Sequence, residues 1–317
     1  MHSYTRRLTG RPLLLAAAAA ALLGSSNLLA EKPVFDWPAP AQAQITVEQE
    51  KAGRTFAIEM QLDVSRVADS SQWRMDFTGV RLLRINEQDV TSPEERAEVP
   101  PSFLAMTEAE PSFIVDEHGH LVDVPGVEGL LDEIIEQMPE RPPEVTRDGL
   151  RLVLLDPAMI DLVEAKADRH WHLWVGLWLD KEFEPGRRLE FDAESDYFGI
   201  TVPSRGYFEV LGDVDGRPGV SRLVFELVSR DDALREAVVQ SLKAAAEQAQ
   251  QAGEPEPQLA YDAIRAAERR ERVTVLTELA TMRPHEVQAS TRITLDIEGH
   301  GVHTQSEEHL YRFDWRQ

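Results

Sequence analysis

From residue 55 to residue 65 the even positions are apolar (Phe56, Ile58, Met60, Leu62, Val64), while the odd ones are mainly polar: Glu59, Gln61 and Asp63. Successive side chains on a strand point to opposite faces, so this pattern builds a strand with one dry face and one wet face. Wound as a helix, the same residues would scatter their apolar side chains all round the axis. The alternation recurs at residues 73–78, 189–194, 223–227, 292–298 and 311–315. With weaker segments included, the chain is expected to form about ten to twelve strands.

The turns between these strands are short. Glu117-His118-Gly119-His120, Asp213-Val214-Asp215-Gly216 and Glu298-Gly299-His300-Gly301 each separate two strand-like runs. Such connections join antiparallel neighbours, whereas parallel strands need a long crossover. Helical spacing is rarer. It covers residues 126–138, a segment capped by Asp156 with Pro157 in its first turn and running on through Trp171 and Trp174, residues 231–251, and a short stretch at 259–268. One-sided strands demand an apolar cover. The reading is therefore an α+β fold, a large curved antiparallel sheet covered by about four helices in one domain over residues 44–317. The carboxy-terminal strand, ending in Phe313-Asp314-Trp315, is expected at an edge where a partner could dock. The alanine-rich helix at 231–251 is expected to dock by its first three turns, its end and the break at Gly253–Pro257 reading as a helix that projects and frays or, as the alternative, as a movable lid.

The amino terminus reads as an export signal. Arg6, Arg7 and Arg11 precede an apolar run rich in Leu and Ala that is too short for an ordinary membrane span. Residues 1–43 are assigned to it, with cleavage after Ala43 in Ala41-Gln42-Ala43, or else after Ala30. Taking away Arg6, Arg7, Arg11 and Lys32 with Glu31 and Asp36 changes the formal charge from −23 to −25. No later segment is apolar enough for a spanning helix, and a periplasmic or secreted bacterial setting is expected.

The 56 acidic residues against 33 basic ones repel phosphate, which argues against nucleic-acid partners. The absence of cysteine excludes disulfides, thiolate catalysis and zinc–cysteine sites. No phosphate-binding loop, nucleophile elbow or zinc-protease motif occurs, so no cofactor and no catalytic residue is assigned.

Two groups of residues are candidates for binding. Trp171, Trp174 and Trp178 share one helical face and form either an aromatic platform for a ligand or the heaviest part of a core. His118 with His120, and His170 with His172, have H-x-H spacing that chelates a metal from one face of a strand. On a helix the second pair would point about 200° apart. The carboxylate pairs Glu108/Glu110, Asp192/Glu194 and Asp213/Asp215 are placed on wet strand faces. The function expected is non-enzymatic binding of a lipid or other apolar or amphiphilic ligand in a cleft between sheet and helices. The alternatives are a scaffolding protein with an envelope protein partner, and a metal-dependent hydrolase built on the histidines.

Overall fold

A computed structural model of the chain describes residues 33–139, 145–182, 184–197, 200–214, 216–230, 232–251 and 263–316. The expected signal up to residue 32, the cleavage point at Ala30 and the break at Gly253–Pro257 lie outside them. The strands are β1 (Ala41–Lys51), β2 (Arg54–Arg66), β3 (Trp73–Ile85), β4 (Gln88–Asp89), β5 (Phe113–Val115), β6 (Leu121–Asp123), β7 (Arg188–Tyr197), β8 (Ile200–Val214), β9 (Arg217–Arg230), β10 (Ile264–Glu278), β11 (Arg283–Ile297) and β12 (Gly301–Arg316). The helices are α1 (Pro93–Arg96), α2 (Pro101–Thr107), α3 (Val127–Gln137), α4 (Arg147–Leu154), α5 (Pro157–Trp171) and α6 (Asp232–Gln251). A π-helical turn, His172–Gly176, continues α5.

All twelve strands belong to one antiparallel sheet in the order β6-β5-β3-β2-β1-β12-β11-β10-β9-β8-β7, with β4 beside β3. The sheet does not close on itself. Its centre is a pairing that no local pattern announces. β1 lies against β12, with Ile45 opposite Phe313 and Val47 opposite Tyr311. The last strand is therefore interior, bonded to β1 on one side and β11 on the other, and is no docking edge. Residues 307–312 are paired on both sides and leave no free ladder for an incoming strand, while residues 313–316 pair with β1 alone.

The dry faces of β1, β2, β3, β5 and β8–β12 meet around the end of α5. Strands this far apart in the sheet reach one helix because the sheet curves around it. Trp171, Trp174, Val175 and Trp178 fill the centre, against Phe113, Tyr311, Phe313 and Phe208. An indole buries roughly 200 Å², and at ~25 cal/mol per Å² each contributes about 5 kcal/mol of transfer free energy. Gly206 in β8 has a local reason. A Cβ there would lie 2.6 Å from Phe191 Cζ, and without it the Phe191 ring stacks on Phe208 at 5.0 Å.

Satellite cores hold the helices. Val127, Leu131, Ile134 and Ile135 of α3 pack with Ala105 of α2 and Leu154 of α4. Leu234, Ala237 and Val238 of α6 pack on Val202, Ile264 and Ala267, over the β7–β10 end of the sheet. The Asp156 carboxylate caps α5 by accepting from Ala158 N at 2.9 Å. The short helix expected at 259–268 does not form within the described part: Ile264 onward is β10, bonded to β9 and β11. No described helix is long and apolar enough to cross a membrane.

Candidate functional site

Helix α5 and its π turn enter the curved sheet carrying Lys166, His170 and Trp174 at intervals of four residues, and His170 stacks on Trp174. Facing them is Glu110, in the connection between α2 and β5, with its side chain 4% exposed. Its carboxylate accepts from Lys166 Nζ at 2.7 Å and from His170 Nδ1 at 2.7 Å. Lys166 also donates to the carbonyl of Ala109 at 2.9 Å. Burial alone would raise the Glu110 carboxyl, but the charges and hydrogen bonds of His170 and Lys166 outweigh it and hold the pKa at about 2. This carboxylate is not on the wet face of a strand. Helix α2 ends at Thr107, the next strand begins at Phe113, and the carboxylate turns inward to the Lys166 ammonium and the His170 ring. Glu108 instead pairs with Arg96 at 2.5 Å and accepts from the backbone of Leu82.

The cluster continues outward by ring contacts. His170 stacks on Trp174 with planes 13° apart and meets Tyr311 edge-on at 5.6 Å. His309 lies nearly parallel to Tyr311, 7° apart, and its Nε2 donates to Glu307 at 2.8 Å. Burial pushes the Tyr311 phenol far up, so it stays neutral at any physiological pH. Burial also lowers the His309 imidazole against the pull of Glu307. A line of side chains therefore joins the buried Glu110 to the surface of a cleft.

That cleft has a volume of about 560 Å³. It lies between the end of α5 with its π turn and the inner faces of β10, β11 and β12. Leu173, Val273, Ala289 and Ile293 give it an apolar lining, and Arg169, Arg269 and Arg272, with Glu271, Glu307, His172, His309 and Tyr197, bring polar groups to it. The π turn matters here. Leu177 N donates to His172 O at 2.9 Å, one residue farther than in an α-helix, and His172, the first residue of this turn, lines the cleft. His172 meets solvent through the opening but is otherwise enclosed, and this desolvation lowers its pKa. Arg169 reaches Glu307 at 3.7 Å, and Arg269 Nη2 reaches Glu271 at 2.5 Å. Arg269 Nε is buried and finds no hydrogen-bond partner among the described residues. A second groove, of about 530 Å³, is lined by Glu48, Glu50, Glu87 and Glu308 with Arg84, Phe56 and Leu310, and its excess of carboxylates disfavours an anionic guest.

The candidates named from sequence fall apart by place. Trp171, Trp174 and Trp178 share a face, as their spacing requires, but none is more than 2% exposed; they are core and offer no open platform. Trp171 Nε1 donates to Gly119 O at 2.7 Å, inside the protein. His118 and His120 sit on the exposed β5–β6 turn, where His120 meets Asp180 at 3.2 Å. His170 faces Glu110 while His172 faces the cleft, as a helix dictates. Among the described residues no group of three or more His, Asp or Glu is placed to hold a metal ion. In β7, β8 and β9, Ser195, Ser204 and Ser229 form a buried ladder in which their hydroxyls hydrogen-bond one another.

No protein-family model matches the chain, and a search of curated proteins finds no match either.

Proposed function

We propose that this protein is an exported, non-enzymatic binding protein that holds a small amphiphilic molecule in the cleft between α5 and the inner faces of β10–β12. One observation carries the reading: an open space of about 560 Å³ that combines an apolar lining with a few convergent polar groups. Ligand sites are commonly clefts of roughly 300–1,000 Å³ of this mixed kind, with the polar groups setting orientation. The polar end of the ligand is an anion. Arg269 keeps a buried Nε–H without a partner among the described residues, and Arg169 is held only at 3.7 Å by Glu307. A carboxylate or phosphate ester would take up such donors bidentately. The acidic surface elsewhere disfavours large polyanions, so the ligand is small and carries little charge.

Decanoate and decanol provide the test, with binding followed by calorimetry. Decanoate should bind at least tenfold more tightly than decanol, and Arg269→Leu should remove most of that difference. Equal affinities for the acid and the alcohol would contradict the assigned polar end. Mass spectrometry of protein purified from its native host should show a retained amphiphile. A preparation that carries none and binds neither probe would favour the scaffolding alternative.

A further inference from the structure

We infer that the mature protein retains Phe35 and Trp37, and that export processing cuts after Ala30 and not after Ala43. The inference rests on the export reading of the amino terminus. Its geometric support is independent of the cleft.

Residues 33–40 run across one end of the curved sheet before β1 begins. Phe35 is 5% exposed and Trp37 is 1% exposed. Phe35 meets Trp73 of β3 edge-on at 5.0 Å and Trp171 of α5 at 5.5 Å. Trp37 meets the same Trp171 at 5.4 Å and Trp315 of β12 at 5.1 Å. The backbone is tied as well. Asp36 N donates to Thr281 O at 3.2 Å in the β10–β11 turn, and Trp73 Nε1 donates to Trp37 O at 3.0 Å. One short segment thus links α5 to β3 on one side of β1 and to β12 and the β10–β11 turn on the other.

The rest of the protein is shaped to receive this segment. Gly119 has φ +86°, and a Cβ added there would lie 2.8 Å from Phe35 Cγ. The β5–β6 turn therefore needs glycine both for its backbone and for the room that Phe35 takes up. Ala43 is unsuited to be a cleavage point in the folded protein. It is 0% exposed and sits in β1, opposite Leu62 on one side and Trp315 on the other. A cut there before folding would discard both aromatic side chains and the first three residues of β1. Ala30 lies close behind the apolar run and leaves the whole segment in place.

The experiment is to produce the full chain in a Gram-negative host and read the amino terminus of the exported protein by sequencing and intact mass. Glu31 is expected as the first residue. Gln44 as the first residue, or an uncut Met1, would overturn the inference. Two leaderless chains, starting at Glu31 and at Gln44, provide a second reading. The longer should melt higher by about 15 °C, from the loss of two buried aromatic residues in the shorter. Equal melting temperatures would overturn it too. Should the shorter chain not fold, Trp37→Ala in the longer one should still lower the melting temperature by about 10 °C. An unchanged value would count against the segment's role.

Discussion

Replacing Glu110 by glutamine keeps the shape of the buried cluster and removes its charge. In the native protein the carboxylate lies 2.7 Å from both Lys166 Nζ and His170 Nδ1 and is nearly sealed from water. Its pKa falls from an ordinary 4.5 to about 2 on folding. Each unit is worth about 1.4 kcal/mol, so ionised Glu110 favours the folded state by about 3 kcal/mol. That stabilisation is fully present above pH 4.5, where the unfolded carboxyl is also ionised. It fades as pH falls towards 2, because the unfolded state takes up a proton that the folded state resists. Urea unfolding at pH 7 should therefore show Glu110→Gln less stable than the wild type by about 3 kcal/mol. At pH 2 to 3 most of the gap should close. The pKa values of Glu278 and Glu307 are also lowered and act in the same acid range, so the difference between variant and wild type isolates Glu110. A gap below about 0.5 kcal/mol at pH 7, or one that does not shrink with acid, would refute the account of the cluster.

Other substitutions probe the core and the turns. Trp174→Ala should cost about 3–5 kcal/mol in unfolding free energy, because the indole is core; an unchanged stability would restore the platform reading. Gly119→Ala should cost about 2–3 kcal/mol, from positive φ and the displaced Phe35 ring, as measured by urea titration. Arg312→Ala, on the outer face beside Glu48 at 2.9 Å, should change stability by less than about 1 kcal/mol.

How much of this was legible in the sequence depends on which residues are considered. Alternation at residues 55–65 and 292–298 is local, and β2 and β11 formed where it lay. The Asp156 cap and the α3 stripe are local too. The pairing of β1 with β12 joins residues more than 250 positions apart, and no short pattern encodes it. The helical reading of residues 264–268 followed the good helix formers Ala266, Ala267 and Glu268. Strand β11 offers backbone partners along this stretch, β9 joins from Glu268, and Ile264 and Ala267 pack under α6; that tertiary context overrides propensity. The α1 helix was there to be read, since Ser92-Pro93-Glu94-Glu95 is a capping box in which Ser92 Oγ accepts from Glu95 N at 3.2 Å. For the candidate site, the Trp stripe marks the buried face of α5, and Lys166 and His170 at spacing four mark one polar line along it. Glu110 could not be recognised as their partner, because the 56 acidic residues supply many equivalent choices. The segment holding Phe35 and Trp37 was hidden by its position next to a leader.

The central claim is that the cleft between α5 and β10–β12 is the binding site, and filling it tests that claim most directly. Ile293→Trp should place an indole in the space while leaving Arg169 and Arg269 intact. Calorimetric titration with decanoate should give saturable one-to-one binding to the wild-type protein. In the variant, at unchanged melting temperature, affinity should fall at least tenfold. Binding of equal strength in both proteins would place the ligand elsewhere and contradict the account.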